Sequence, residues 1–260
     1  MIPYEKKEHY TIDDLAEIVT LLRSEEGCPW DKVQTHQSIR SDLIEETYEV
    51  IEAIDQDDPE MLREELGDLL LQVVFHARIE EEQGRFTFAD SVNDVCRKLI
   101  VRHPHVFGEV KVKDSEDVLR NWNDIKQKTK GQETYTETLR SVCGALPALM
   151  RAQKIGKRAE RAGMDFPDAE AALKSLESEI EEVKAASAEN EAEELGDMLF
   201  AAVNVVRKKG YDAEELLTRA ADKFVDRFEK TENMVRCEGK DMRSLDIDTL
   251  DAYWQKAKNQ

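Results

Sequence analysis

The chain has 260 residues, 36% charged and 40% apolar, and carries a formal net charge of −20 at pH 7, a size that suits one large domain or two small ones. So acidic a surface repels phosphate backbones and weighs against nucleic-acid binding, although a bound cation can still bring a single nucleotide to it. Four scattered cysteines without a CxxC pair give no support to a zinc site or disulfide framework; with no apolar signal core in Met1–Lys7 and no apolar run longer than Leu69–Phe75, a reduced cytoplasmic protein with no membrane role is expected.

Apolar residues recur with helical period almost throughout. Thr11, with Asp14 three residues on, opens a helix over 11–26, and a second is expected over 37–55. Asp57-Asp58-Pro59-Glu60 opens a third over 59–83, closed by Gly84. Thr87 with Asp90 opens a fourth over 87–102. The segment His103–Asp114 is irregular, with room for a short hairpin in His103–Val112, and a fifth helix covers 115–129. Beyond another irregular stretch, Lys128–Thr136, helices are expected over 138–161, 168–188, 190–209, 212–232 and 247–258, with Gly163 and Gly210 as stops. The fold class is all-α.

The two sets of helices read as copies. Glu46-x-x-Glu49-Val50 matches Glu179-x-x-Glu182-Val183. Glu65-Leu66-Gly67-Asp68 matches Glu194-Leu195-Gly196-Asp197. Lys98 and Arg102 match Lys223 and Arg227, and Trp122 and Lys126 match Trp254 and Lys258. Four pairs in the same order and with similar gaps argue for a duplicated domain, divided into residues 1–130 and 131–260. Each copy has a thin core, and pairing across a dimer would complete a four-helix bundle.

Glu46 and Glu49 share one helix face, and Glu65 and Asp68 share a face of the next helix. A short turn makes those helices antiparallel, so four carboxylates converge, and Glu179, Glu182, Glu194 and Asp197 are arranged alike. In a chain with 57 Asp and Glu residues, a lone EExxE is ordinarily a solvated face. The second helix of each pair, however, is apolar nearly all round and is expected to be buried. Four converging buried acids cannot all stay ionised without a cation. The Glu-x-x-His of di-iron bundles is missing, and all-oxygen ligands favour Mg²⁺, with Mn²⁺ as substitute. Gly67 and Gly196 either admit a close neighbouring helix or are neutral.

The basic pairs have an ordinary reading as salt bridges and a functional one as clamps on phosphate oxygens. Trp122 beside Lys126, and Trp254 beside Lys258, pair a stacking ring with a cation. Trp30 has no repeat partner and reads as a packing residue or a loop over the first site. His76 reads as a bonded core residue.

These motifs resemble the MazG family of nucleoside triphosphate pyrophosphohydrolases in its two-domain form. The resemblance runs along essentially the whole chain. It is carried by Gly27-Cys28-Pro29-Trp30-Asp31, Thr35-His36, Leu43-Ile44-Glu45-Glu46-Thr47-Tyr48-Glu49 and Glu64-Glu65-Leu66-Gly67-Asp68. It implies Mg²⁺-dependent cleavage of nucleoside triphosphates between the α- and β-phosphates, broad nucleotide tolerance and a homodimer. It also implies metal ligation by the two carboxylate quartets, catalysis chiefly at the second, and substrate binding by Lys223, Arg227, Trp254 and Lys258, with Lys98, Arg102, Trp122 and Lys126 as first-half counterparts. One departure is Ser178, where the first half has Glu45. A narrower dUTP- or dCTP-type pyrophosphatase and a non-hydrolytic nucleotide-binding interaction protein are the alternatives.

Overall fold

The computed structural model describes Ile2 and residues 4–258. Among these residues every regular element is helical, and no helix is long and apolar enough to cross a membrane. The chain divides into two compact units, Met1–Lys126 and Gln127–Gln260.

In the first unit, α1 (Ile12–Arg23) starts at a reciprocal cap in which the Thr11 side chain accepts from the Asp14 amide and the Asp14 side chain accepts from Thr11. After a short 3₁₀ turn (Asp31–Val33) come α2 (Arg40–Asp55) and α3 (Pro59–Glu82), joined by three residues. Asp57 takes a left-handed conformation (φ 53°), and the Asp58 side chain accepts from the Glu60 and Met61 amides to start α3. The two helices therefore pack as a hairpin. Val19 of α1, Ile39, and Val74, Phe75 and Ile79 of α3 form the buried apolar cluster. Arg23 crosses beneath it, with its guanidinium 5.0 Å from the Phe75 ring and its Nη2 2.8 Å from Glu82. Then follow α4 (Phe88–Arg102), α5 (Pro104–Phe107) and α6 (Ser115–Thr129), within which the unit ends.

In the second unit, α7 (Tyr135–Arg140) and α8 (Ala148–Arg161) precede α9 (Ala169–Ala185) and α10 (Glu191–Lys208). Long α11 (Ala213–Cys237) and α12 (Ile247–Lys258) complete it. Buried Gln153 ties α8 to the head of α11, since its Nε2 donates to the Tyr211 carbonyl (3.0 Å) and its Oε1 accepts from the Ala213 amide (2.8 Å).

Several expectations need correction. No strand forms in His103–Val112; Pro104 at the first helical position turns Pro104–Phe107 into a helical turn instead. The helix expected over 138–161 is broken into α7 and α8, because Pro147 lacks the amide a continuous helix needs. α11 runs on to Cys237, five residues past the expected 232 and up to the positive-φ Gly239. The apolar helices α3 and α10 are not buried all round: Leu66, Leu70 and Val73, and likewise Leu195, Leu199 and Phe200, are exposed. Among the described residues, a Cβ added at Gly67 or Gly196 would meet nothing within 4 Å, so neither glycine serves a close approach of another helix described here.

Candidate functional site

The hairpins deliver the carboxylates. In the first unit, one oxygen from each of Glu46, Glu49 and Glu65 lies within 4.8 Å of the other two, and all three residues are half-buried. In the second unit Glu179, Glu182 and Glu194 form the same trio, with Glu182 exposed. The predicted fourth members, Asp68 and Asp197, stand one turn beyond Glu65 and Glu194 and fall outside that mutual distance. Asp68 is half-buried and Asp197 exposed, so the burial expected of both is not met at Asp197.

Electrostatics marks the same positions. The Glu46 pKa is raised, first by burial and then by the charges of Asp68 and Glu49. That of Glu65 is raised by burial and then by Glu49. That of Glu179 is raised by burial, then by Glu182, Asp197 and Glu194. Each Asp therefore acts on its trio from one turn away. Three hard oxygen donors crowded into mutual repulsion fit a divalent cation that prefers oxygen and retains waters.

Two side chains outside the predicted ligand set steady the second trio. The Ser178 hydroxyl donates to Glu182 Oε1 (3.3 Å), and Asn190 Nδ2 donates to Glu194 Oε1 (3.0 Å). Both lie four residues before their acceptors, which was the available signal. Ser178, the apparent departure from the EExxE pattern, thus holds a carboxylate rather than supplying one.

The basic residues do not follow their ordinary reading. Among the described residues, no hydrogen bond or ion pair engages the side chains of Lys98, Lys223, Arg227 or Lys258. Arg102 and Lys126 lie over the Trp122 ring, 5.3 and 4.8 Å from its centroid. Half-buried Trp254 packs on Phe224 instead, with ring centroids 5.0 Å apart. Trp30 is 60% exposed, so it is not a packing residue within the unit. His76 is half-bonded: its Nδ1 meets His36 Nδ1 at 2.7 Å, while its buried Nε2 has no partner among the described residues.

Residues 34–107, which hold the first trio, match the MazG nucleotide pyrophosphohydrolase domain. A Thermotoga maritima protein named nucleoside triphosphate pyrophosphohydrolase/pyrophosphatase MazG is 43% identical over 255 residues, 97% of this chain and 98% of its own length. The Escherichia coli K12 nucleoside triphosphate pyrophosphohydrolase is 42% identical over 256 residues, 96% of this chain and 97% of its own. A Bacillus subtilis protein, YabN, is 41% identical over 262 residues that cover 99% of this chain but 53% of YabN.

Proposed function

The chain belongs to the MazG family of nucleoside triphosphate pyrophosphohydrolases, and on that premise we propose that it hydrolyses nucleoside and deoxynucleoside triphosphates to monophosphate and pyrophosphate, with broad base tolerance. The observation that carries this reading is the pair of carboxylate trios, each with three oxygens within 4.8 Å. Glu179, Glu182 and Glu194, with Asp197 one turn away, would hold Mg²⁺, or Mn²⁺ in its place; Glu46, Glu49, Glu65 and Asp68 offer a second such set. Bound there, the cation supplies neutralisation of the triphosphate and of the charge that grows on the leaving pyrophosphate.

The side chains do the rest. Glu179, whose proton affinity is raised by its surroundings, or Glu182 beside it, orients or deprotonates a water for in-line attack on the α-phosphorus. Lys223, Arg227 and Lys258, which no acid among the described residues engages, clamp phosphate oxygens, and Trp254 supplies an aromatic surface beside them. Lys98, Arg102, Trp122 and Lys126 are the first-unit counterparts. The exposed apolar residues of α3 and α10 support a homodimer in which a second copy covers them.

Product analysis tests the reading. Purified protein with Mg²⁺ and a panel of triphosphates is expected to give monophosphate and pyrophosphate, and a folded Asp68→Ala/Asp197→Ala variant is expected to lose the activity. Diphosphate plus orthophosphate, or full activity in that variant, refutes it.

A further inference from the structure

The first unit holds a second group of ionisable side chains, outside its carboxylate trio. Arg85 donates to both oxygens of Glu80, at 2.6 Å from its Nη2, and the paired carboxylate is ionised, with its pKa held at about 2. His36 Nε2 meets Glu80 Oε1 at 2.5 Å. His36 Nδ1 meets His76 Nδ1 at 2.7 Å, with the two rings 14° from parallel. The contacts thus tie the segment that leads into α2, which carries His36, to α3, which carries His76 and Glu80. A cavity of about 330 Å³ adjoins them. Glu80, with Arg85 behind it, is the charged group that faces the pair from α3; into the cavity α2 presents Leu43 and α4 presents Ser91, which do not titrate, and no residue of α1 lines it.

Counting hydrogens on the four ring nitrogens shows what this arrangement tolerates. An ionised carboxylate only accepts, so His36 Nε2 carries a hydrogen. At 2.7 Å the facing Nδ1 atoms share one hydrogen, since two would collide and none would leave two lone pairs opposed. The neutral pair therefore has its hydrogens on His36 Nε2 and His76 Nδ1, and His76 Nε2 is a bare lone pair. That atom is buried and has no partner among the described residues. With the bridge intact, His76 Nε2 is also the one nitrogen left to take a further proton, whichever ring then carries the charge. The new N–H would be buried without an acceptor, on a cationic pair, which is costly. Burial and the neighbouring His36 accordingly hold the His76 pKa below the usual imidazole range. Separation removes the difficulty. The His36 side chain is 33% exposed and precedes the first turn of α2, so it is the ring with access to water.

The second unit has none of these groups. Aligning Asp68 with Asp197 puts Val205 opposite His76 and Lys209 opposite Glu80, and aligning Glu46 with Glu179 puts Ala169 opposite His36.

We propose that the His36–His76 pair is an acid-sensitive latch of the first unit: one shared hydrogen pins the residues leading into α2 against α3, and uptake of one proton releases them. The hairpin of the second unit, without the pair, does not respond. The latch is independent of the reaction proposed above.

Nitrogen-15 NMR of the histidine side chains in the full chain tests the hydrogen count. At mildly alkaline pH, His36 is expected as the Nε2–H tautomer and His76 as the Nδ1–H tautomer. Hydrogen exchange, corrected for its intrinsic pH dependence, tests the release. As pH falls through the imidazole range, about 6.5, exchange in residues 34–45 is expected to rise by at least about tenfold relative to α10 peptides, the effect of one pKa unit between open and closed states. His76→Val, which installs the second unit's residue, is expected to abolish that rise. So is His76→Asn, whose amide donates to neutral His36 and turns its oxygen to the protonated ring. Nε2–H tautomers on both rings, proton uptake that leaves residues 34–45 as protected as before, or an undiminished rise in folded His76→Val and His76→Asn overturns the latch. Triphosphate turnover enters neither readout, so failure of the proposed reaction leaves the latch standing, and failure of the latch leaves the reaction.

Discussion

Arg207→Met removes a buried cation that ties α10 to Asp165 in the second unit. The Arg207 side chain is 4% exposed and that of Asp165 12%, so their pair is shielded from water. Truncation leaves Asp165 with Lys208 at 2.8 Å and strips Asn204 Oδ1 of both donors. Breaking a buried pair costs about 3–5 kcal/mol, and the surviving Lys208 contact argues for the low end, about 3 kcal/mol. Replacing both partners, in Arg207→Met/Asp165→Leu, is expected to recover most of that loss, because it removes the stranded charge. The pH dependence has a definite sign. Hydrogen bonding from Arg207 holds the Asp165 carboxyl below the usual carboxylate range. Its contribution is thus fully present above the unfolded value, about 3.9, and is lost as pH falls toward the lower folded value. Wild type should lose stability across that acidic window, and Arg207→Met should show a flatter profile there. Urea unfolding read by hydrogen exchange of α10 peptides isolates the second unit. A loss below about 1 kcal/mol in Arg207→Met would mean the pair behaves as an exposed one.

Mg²⁺ should raise the melting temperature of the wild type, since a ligand at one hundred times its Kd stabilises by about 2.7 kcal/mol; Glu182→Gln is expected to shrink that gain while relieving repulsion in the metal-free protein, and an unchanged gain would remove Glu182 from the site. Arg85→Met should raise the Glu80 pKa, now held at about 2 first by Arg85 and then by His36. Stability from this group is present above the ordinary carboxylate value and lost as pH falls toward 2, so the variant should lose it at a higher pH; an unmoved Glu80 titration by NMR refutes the pairing. Leu199→Asp, on the 58% exposed Leu199 of α10, should lower the mass measured by light scattering if a second copy covers that face, and an unchanged mass argues that it stays open.

The helix starts were legible because they are local. Thr11, Asp58, Thr87 and Asp212 each carry the side-chain oxygen that caps the following helix. The carboxylate trios were legible for a related reason, since a three-residue spacing and a short turn fix convergence without any knowledge of the rest of the fold. What failed depended on partners far along the chain. An apolar period such as Leu66-Leu70-Val73 says that a face avoids water, but not whether this chain or another covers it. Asn204 and Arg207 gave no sequence signal, because their packing depends on Gly156 and Asp165, some forty to fifty residues earlier. Opposite Asn204 the first unit has Phe75, a contrast that was within reach, since the repeat register already placed the two residues opposite each other.

That contrast separates the carboxylate trios from the packing behind them. Converging carboxylates need only the two helices of a hairpin, and both units bring such a trio together in nearly the same form. Space behind a hairpin costs apolar packing. The first unit fills the position with Phe75 and gains a core of Val19, Val74, Phe75 and Ile79. The second forgoes that packing and keeps a cavity of about 380 Å³ there, with the buried Arg207 guanidinium and Asn204 amide and the Asp165 carboxylate in its lining, groups that stabilise little by themselves and matter by their orientation. Under the proposed function, substitutions on the carboxylates are expected to change whether the triphosphate is held at all, whereas substitutions behind the second hairpin are expected to change how tightly that unit packs.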